Sequence, residues 1–239
     1  MISNRPYFYS SQTADPGLLI ELDEPTSRHI VQVLRMESGE AVRLSNGSGT
    51  LTDAVIVNNH KKHCRLKVET VFQESRLSHH CMAVSPLKNQ SRFEWFLEKA
   101  AELGIARIVP LICQRTEKSQ VKMERMQQIL ISAMLQSQQA FMPQLDAPVK
   151  FGDWINTEWI GTKWIAHCAT GEKTELTQAI TRNSGNSPFV LLIGPEGDFS
   201  EAEIQAAQTM RYQPVSLGST RLRTETAALT GAVLLQQLA

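Results

Sequence analysis

The sequence predicts an α/β protein, a parallel sheet covered on both faces and preceded by a small β-barrel. From residue 81 onward, short apolar runs alternate with stretches of helical spacing, the pattern of repeated βα units. Residues 1–72 lack long helical periodicity and carry short β-rich runs instead. Two of the later strands end in glycine-containing loops that lead directly into helix starts, and these loops hold the functional signal.

The N-terminal runs are "EAVRLSN", "TDAVIVNN" and "CRLKVETVF", with "NGSG" at 46–49 as a hairpin turn. A short helix is expected around "EPTSRHIVQVLRM", where Ile30, Val33 and Leu34 share a face. The polar stretch 73–80, "QESRLSHH", reads as a linker between a barrel at 1–72 and an α/β domain at 81–239. In that domain "CMAVSPL" (81–87) is a buried strand. Ser91 and Glu94 form an S-x-x-E capping box for a helix with Phe93, Phe96, Leu97 and Ala100 on one face. A strand over 105–113, a helix over 123–139, a loop at "PQLDAPVKFGDW" and a strand over 163–169 follow. Then come "PFVLLIG", a helix from Ser200, the strand 214–218 and a last helix through "TETAALTGAVLLQQL".

Composition sets the limits. With 24 basic and 24 acidic side chains there is no global basic field, so contact with nucleic acid would rest on local patches. No apolar h-region opens the chain and no run of about eighteen apolar residues occurs, so a cytoplasmic location is expected. Cys64, Cys81, Cys113 and Cys168 are too scattered for a zinc site, and no metal is expected.

In "FVLLIGPEGDFSEAEI" (189–204), Ser200 and Glu203 make a capping box, and Phe199 and Ile204 the matching hydrophobic staple. Gly194 and Gly197 open the backbone conformations available between strand and helix, while Pro195 stiffens the path. The product is a rigid loop at the C-terminal edge of a parallel sheet, where open α/β sheets bind ligands. "SLGSTRLRTETAAL" (216–229) repeats the plan, with Gly218 in the bend, Thr224 as cap and Glu225 in the first helical turn. Arg223 stands just before that turn, where a fixed guanidinium could face a ligand. Neither a G-x-G-x-x-G after a strand nor a P-loop is present, so the pocket lacks a phosphate cradle. It suits an adenosine ligand without phosphates, such as S-adenosylmethionine.

Together, "LLIGPEGDFSEAEI" and "LGSTRLRTETAAL" resemble the ribosomal RNA small subunit methyltransferase E family of the SPOUT class. "RPYFY", "HIVQVLRM" and "NGSGTLTDAVI" are similar to that family's PUA-like barrel, and "EKAAELGIARIVPL" to its catalytic domain. The resemblance implies a C-terminal domain with a deep trefoil knot, S-adenosylmethionine as cofactor, a homodimer, and N3 methylation of a uridine in the decoding region of 16S RNA. It assigns His167, Ile193, Gly194, Glu196, Gly197, Leu217, Gly218, Leu222 and Thr226 to the cofactor. Arg223 and Glu225 are the expected catalytic pair. Arg223 would stabilise charge on the uracil oxygens; Glu225 would take the imide proton, or cap the helix and orient Arg223.

RNA contacts are expected from Arg5, Arg28, Arg35, Lys61, Lys62 and Arg65 on the barrel, and from Lys88 and Arg92 beyond the first strand of the second domain. The sequence departs from the family pattern in places. Asp198 stands where the family has glycine, Thr220 and Arg221 where it has arginine and an aliphatic residue, and "LQSQQ" (135–139) where it reads "EQSGR". Two rival readings therefore stay open: a methyltransferase acting on another RNA or base atom, and an RNA-binding assembly protein without catalysis.

Overall fold

The computed structural model describes residues 5–76, 78–183 and 187–238. The chain divides into two compact units, 1–76 with 131–142, and 77–130 with 143–239.

In the first unit the strands are β1 (Tyr7–Tyr9), β2 (Leu19–Glu21), β3 (Ala41–Ser45), β4 (Thr50–Asn58) and β5 (Arg65–Gln73). They form one sheet in the order β1-β3-β4-β5-β2, antiparallel except for β1 beside β3. It curls around Phe8, Ile20, Ile30, Val42, Leu44, Ala54, Ile56 and Leu66. The turn at 46–49 joins β3 to β4 as the glycines predict, with Gly47 and Gly49 both at positive φ. It also grips the stretch 131–142: Gly49 N–H donates to the Ala140 carbonyl at 3.0 Å, and Met142 N–H to the Gly47 carbonyl at 2.9 Å. Nothing in the local pattern announced that partner. The helix around "EPTSRHIVQVLRM" is α1 (Glu24–Arg28), capped by Asp23 and continued as a π-helical turn over His29–Val33. The wider turn changes the angular spacing, so only Ile30 is buried; Val33 and Leu34 face solvent, contrary to the shared face expected.

Strands of the second unit are β6 (Cys81–Val84), β7 (Arg107–Ile112), β8 (Gln144–Leu145), β9 (Val149–Lys150), β10 (Thr162–Ala166), β11 (Thr174–Glu175), β12 (Phe189–Ile193) and β13 (Gln213–Ser216). The sheet runs β11-β13-β10-β12-β6-β7-β8, parallel throughout, with β9 also on β7. Every residue of β12 and β6 is buried, as a doubly covered parallel sheet requires. One face, with Cys81, Ala83, Val109, Leu111, Val190 and Leu192, packs with Phe151, Trp154, Phe199 and Ile204 of α4 (Phe151–Ile155) and the start of α6 (Glu201–Thr209). The other face meets α7 (Thr224–Leu238). A Cβ on Gly231 would lie 2.5 Å from Leu191 Cδ2, so glycine lets the helix approach the sheet closely. Helices α2 (Gln90–Glu102) and α5 (Leu176–Arg182) flank α7, and α3 (Met123–Gln136) begins in this unit and ends in the 131–142 stretch of the first.

Two expected helix starts move. Asn89, not Ser91, caps α2 by accepting from Ser91 N–H, and Glu94 pairs with Arg125 at 2.6 Å. The last helix begins at Thr224, whose predecessor Arg223 gives its carbonyl to Ala227 N–H at 2.7 Å. The capping box of Ser200 and Glu203 forms in full. The loop expected at "PQLDAPVKFGDW" contains β8, β9 and the start of α4. The strand expected over 163–169 stops at Ala166, because the chain leaves the sheet there.

His80 is buried, stacks on Phe189 with ring centroids 4.9 Å apart, and accepts Phe189 N–H at Nδ1, 3.2 Å away. Burial, helped by the neighbouring His79, pushes its pKa down to about 4. A folded pKa below the unfolded value means that the unfolded chain binds more protons between them. The contribution is therefore full above about pH 6.5 and is lost as pH falls toward 4. Urea unfolding should show a loss on the order of 2 kcal/mol from this group between pH 7 and pH 5, and His80→Asn should flatten that part of the profile.

Candidate active site

A cavity of about 780 Å³ opens at the C-terminal ends of β10, β12 and β13. Its walls come from three segments: 166–173 after β10, 193–198 after β12 and 215–225 from the end of β13 into the first turn of α7, with Arg92 from α2. Strand order explains why they converge. β13 is inserted between β10 and β11, which are consecutive along the chain. Ala166 and Thr174 both pair with Val215. Residues 167–173 therefore form an arch that leaves one flank of β13 and returns on the other, both at the level of Val215.

The loop Gly194–Phe199 is pinned from several sides. Lys88 N–H donates to Glu196 Oε1 at 3.0 Å, and Gln114 N–H to Glu203 Oε1 at 2.7 Å. Arg115 Nη1 donates to the carbonyl of Gly197 at 2.7 Å and to that of Phe199 at 3.4 Å. A Cβ on Gly194 would stand 3.0 Å from the Phe199 ring, so the staple residue closes over this glycine. Gly218 has φ 129, and open space faces its missing side chain.

His167, Ile193, Gly194, Glu196, Leu217, Gly218, Leu222, Arg223 and Glu225 all line the cavity. Gly197 and Thr226 are not among its lining residues: Gly197 backs onto Arg115, and Thr226 is exposed on α7. Arg92, expected to contact RNA, lies in the cavity wall with Nη1 3.3 Å from Glu225 Oε1. The other expected RNA contacts are dispersed. Arg5 pairs with Asp53 at 2.6 Å, Arg28 with Glu24, Arg65 with Glu21 at 2.8 Å and Lys88 with Glu117 at 2.8 Å. Lys61, Lys62 and Arg35 are exposed, Arg35 with a positive φ of 55. Sequence reasoning missed Cys168, Lys173 and Asp198 as wall residues, since two of them lie in the arch and its shape depends on strand order.

Two wall residues carry unmet hydrogen-bonding capacity. Glu225 Oε2 and both ring nitrogens of His167 are buried without a hydrogen-bond partner among the described residues. Burial, reinforced by the Lys173 ammonium and opposed by Asp198, lowers the His167 pKa, so the imidazole is neutral at pH 7. An unpaired buried polar atom costs about 1–3 kcal/mol, which a ligand in the cavity would relieve.

Residues 73–236 match the family model for an RNA methyltransferase domain, and residues 22–69 that for an RNA methyltransferase PUA domain. The chain belongs to the RNA methyltransferase family. It is 32% identical over 203 residues to ribosomal RNA small subunit methyltransferase E of Synechocystis, covering 83% of this chain and 66%, just under two thirds, of that protein. The Rickettsia conorii protein of the same name is 29% identical, with 88% and 86% covered. A crystal structure of ribosomal RNA small subunit methyltransferase E from Neisseria gonorrhoeae, bound to S-adenosyl methionine, superposes with TM-score 0.87 at 27% identity over 98% of both chains. The kinship read from the two C-terminal motifs and the α/β-plus-PUA architecture are thus borne out. No described helix is long and apolar enough to cross a membrane.

The Arg92–Glu225 pair is open to test. Glu225 is 12% exposed, so Arg92→Ala leaves a largely buried carboxylate without its cation. Urea unfolding of Arg92→Ala should show a loss of about 1 kcal/mol or more, and adding Glu225→Gln should restore part of it.

Proposed function

We propose that this chain is an S-adenosylmethionine-dependent methyltransferase that methylates N3 of a uridine in the decoding region of 16S ribosomal RNA. The observation that carries the reading is the cavity itself. It brings nearly all the motif residues to one place, and both Glu225 and His167 present unpaired polar atoms in its wall. Its volume lies in the range of small-molecule sites. Its ligand-binding wall contains glycine backbone and apolar side chains, not a phosphate cradle, which fits a nucleoside cofactor.

Ile193, Gly194, Leu217, Gly218 and Leu222 would hold the cofactor against the strand ends, with His167 over it from the arch. Glu196 is partly committed to Lys88 N–H and shapes the loop. When bound, S-adenosylmethionine supplies an electrophilic methyl group on a sulfonium. The protein's part is to orient the uracil and manage its proton. The imide N–H must be lost, and negative charge then spreads to O2 and O4 of the base. Arg223, exposed at the mouth of the cavity, is the donor for that charge. Glu225 is held by Arg92 through Oε1, which leaves Oε2 as the acceptor for the proton, directly or through water.

The first unit would bind RNA backbone through its exposed basic turn, Lys61 and Lys62, with a salt-dependent affinity. The insertion of β13 between two strands consecutive in the chain supports the trefoil knot that the family implies. Pairing as a homodimer would cover Trp95 on α2 and Val233 on α7, apolar residues exposed on two helices that touch.

Small subunits from cells lacking this protein, incubated with it and S-adenosylmethionine, should yield N3-methyluridine on digestion and mass spectrometry. Methyl transfer at another base would overturn the target, and cofactor binding without any transfer would overturn the enzyme reading. Arg223→Ala should slow transfer by on the order of 100-fold while S-adenosylmethionine affinity, measured by calorimetry, stays nearly constant.

A further inference from the structure

The arch over β13 is a loop without strand partners, yet it forms one wall of the cavity. Two charged side chains hold it. Lys173 Nζ donates to the carbonyls of His167 at 3.1 Å and Ala169 at 2.6 Å, folding the arch on itself. Asp198 ties it to the loop after β12: Oδ2 accepts Cys168 N–H at 2.8 Å, and Oδ1 accepts Phe199 N–H at 2.9 Å. Asp198 does this from a left-handed backbone, φ 62, which aspartate tolerates better than most residues and glycine best of all. A carboxylate that keeps both oxygens on backbone amides from a strained conformation is serving an interaction, since glycine would suit the backbone better.

We propose that Asp198 is a positioning residue for the cofactor site: it fastens the arch at Cys168, and so fixes His167 against the cavity before any ligand arrives. Cys168 follows His167 directly, so the amide held by Asp198 is the one that sets the path of the His167 backbone. Both ring nitrogens of His167 stay unpaired in the wall, so the ring's placement is left to its backbone and packing. Untying the arch lets the wall adopt several positions, and ordering it again then falls on the binding step. The inference rests on S-adenosylmethionine as the ligand, but its structural half does not.

The test uses the full chain, Asp198→Gly and Asp198→Asn. Each is examined by amide hydrogen exchange at Cys168, thermal unfolding and calorimetric titration with S-adenosylmethionine. Asp198→Gly should melt near the wild-type temperature, because glycine suits the left-handed position. Its Cys168 amide should exchange about tenfold faster or more, and its affinity for S-adenosylmethionine should fall on the order of tenfold. Asp198→Asn keeps an acceptor for Cys168 N–H and should retain most of the affinity.

Unchanged Cys168 exchange in Asp198→Gly would overturn the tie, whatever the ligand. A large fall in its melting temperature would make the residue structural only. Wild-type affinity in Asp198→Gly would overturn the positioning role. Equal weakening in both variants, with Cys168 still protected in Asp198→Asn, would make the negative charge the agent and overturn the proposal. If the wild type fails to bind S-adenosylmethionine, the cofactor reading falls, and the exchange rates alone decide the tie.

Discussion

The insertion of β13 between two strands that follow one another in the chain is the constraint on which the site depends. Because β10 and β11 both pair with β13, the chain between them must cross from one flank of the strand they enclose to the other. The connections after β10, β12 and β13 all line one cavity at the C-terminal edge of the sheet. Gly194 matters because the Phe199 ring closes over it, and Gly218 because its φ of 129 is one that other residues rarely adopt.

The polar ties in this region have a common character. Most join a charged side chain to a backbone amide or carbonyl of another loop: Glu196 to Lys88, Glu203 to Gln114, Arg115 to Gly197, Asp198 to Cys168. Each satisfies a backbone group that the strand-to-loop transition leaves without a ladder partner. Charged groups make stronger hydrogen bonds than neutral ones, so a few suffice to hold long connections in register. Glu203 serves twice, its Oε2 completing the capping box and its Oε1 holding Gln114. The helix start and the loop packing are thereby fixed by one side chain.

The first unit is organised differently. Its core is apolar, but the outer face of the sheet carries Asp53 between Arg43 and Arg5. Burial works against ionising that carboxyl, and the two guanidinium groups overcome it and hold its pKa below the usual carboxylate range. Arg43 also lies 5.7 Å from the Tyr7 ring centroid and 5.5 Å from that of Phe72. The Arg5 expected to meet RNA is therefore engaged with an acid of its own unit.

Much of the design is local and was legible. The continuous apolar run of β12 identifies a buried strand, and Ser200 with Glu203 and Phe199 with Ile204 specify the helix start. These depend on neighbours within a few residues, whose spacing dictates their geometry. The motif pair 194–198 and 217–225 was likewise readable as two loops of one plan. What stayed hidden depends on contacts distant in sequence. Arg92 reads as an RNA contact, and its pairing with Glu225, 133 positions later, appears only once α2 and α7 meet. Asp198 reads as a departure until the arch delivers Cys168 N–H to it. The turn at 46–49 gives no sign that it will hold Ala140 and Met142. Periodicity and capping are short-range physics and belong to the sequence alone; strand order, and every partner that strand order supplies, was decided only by the tertiary structure.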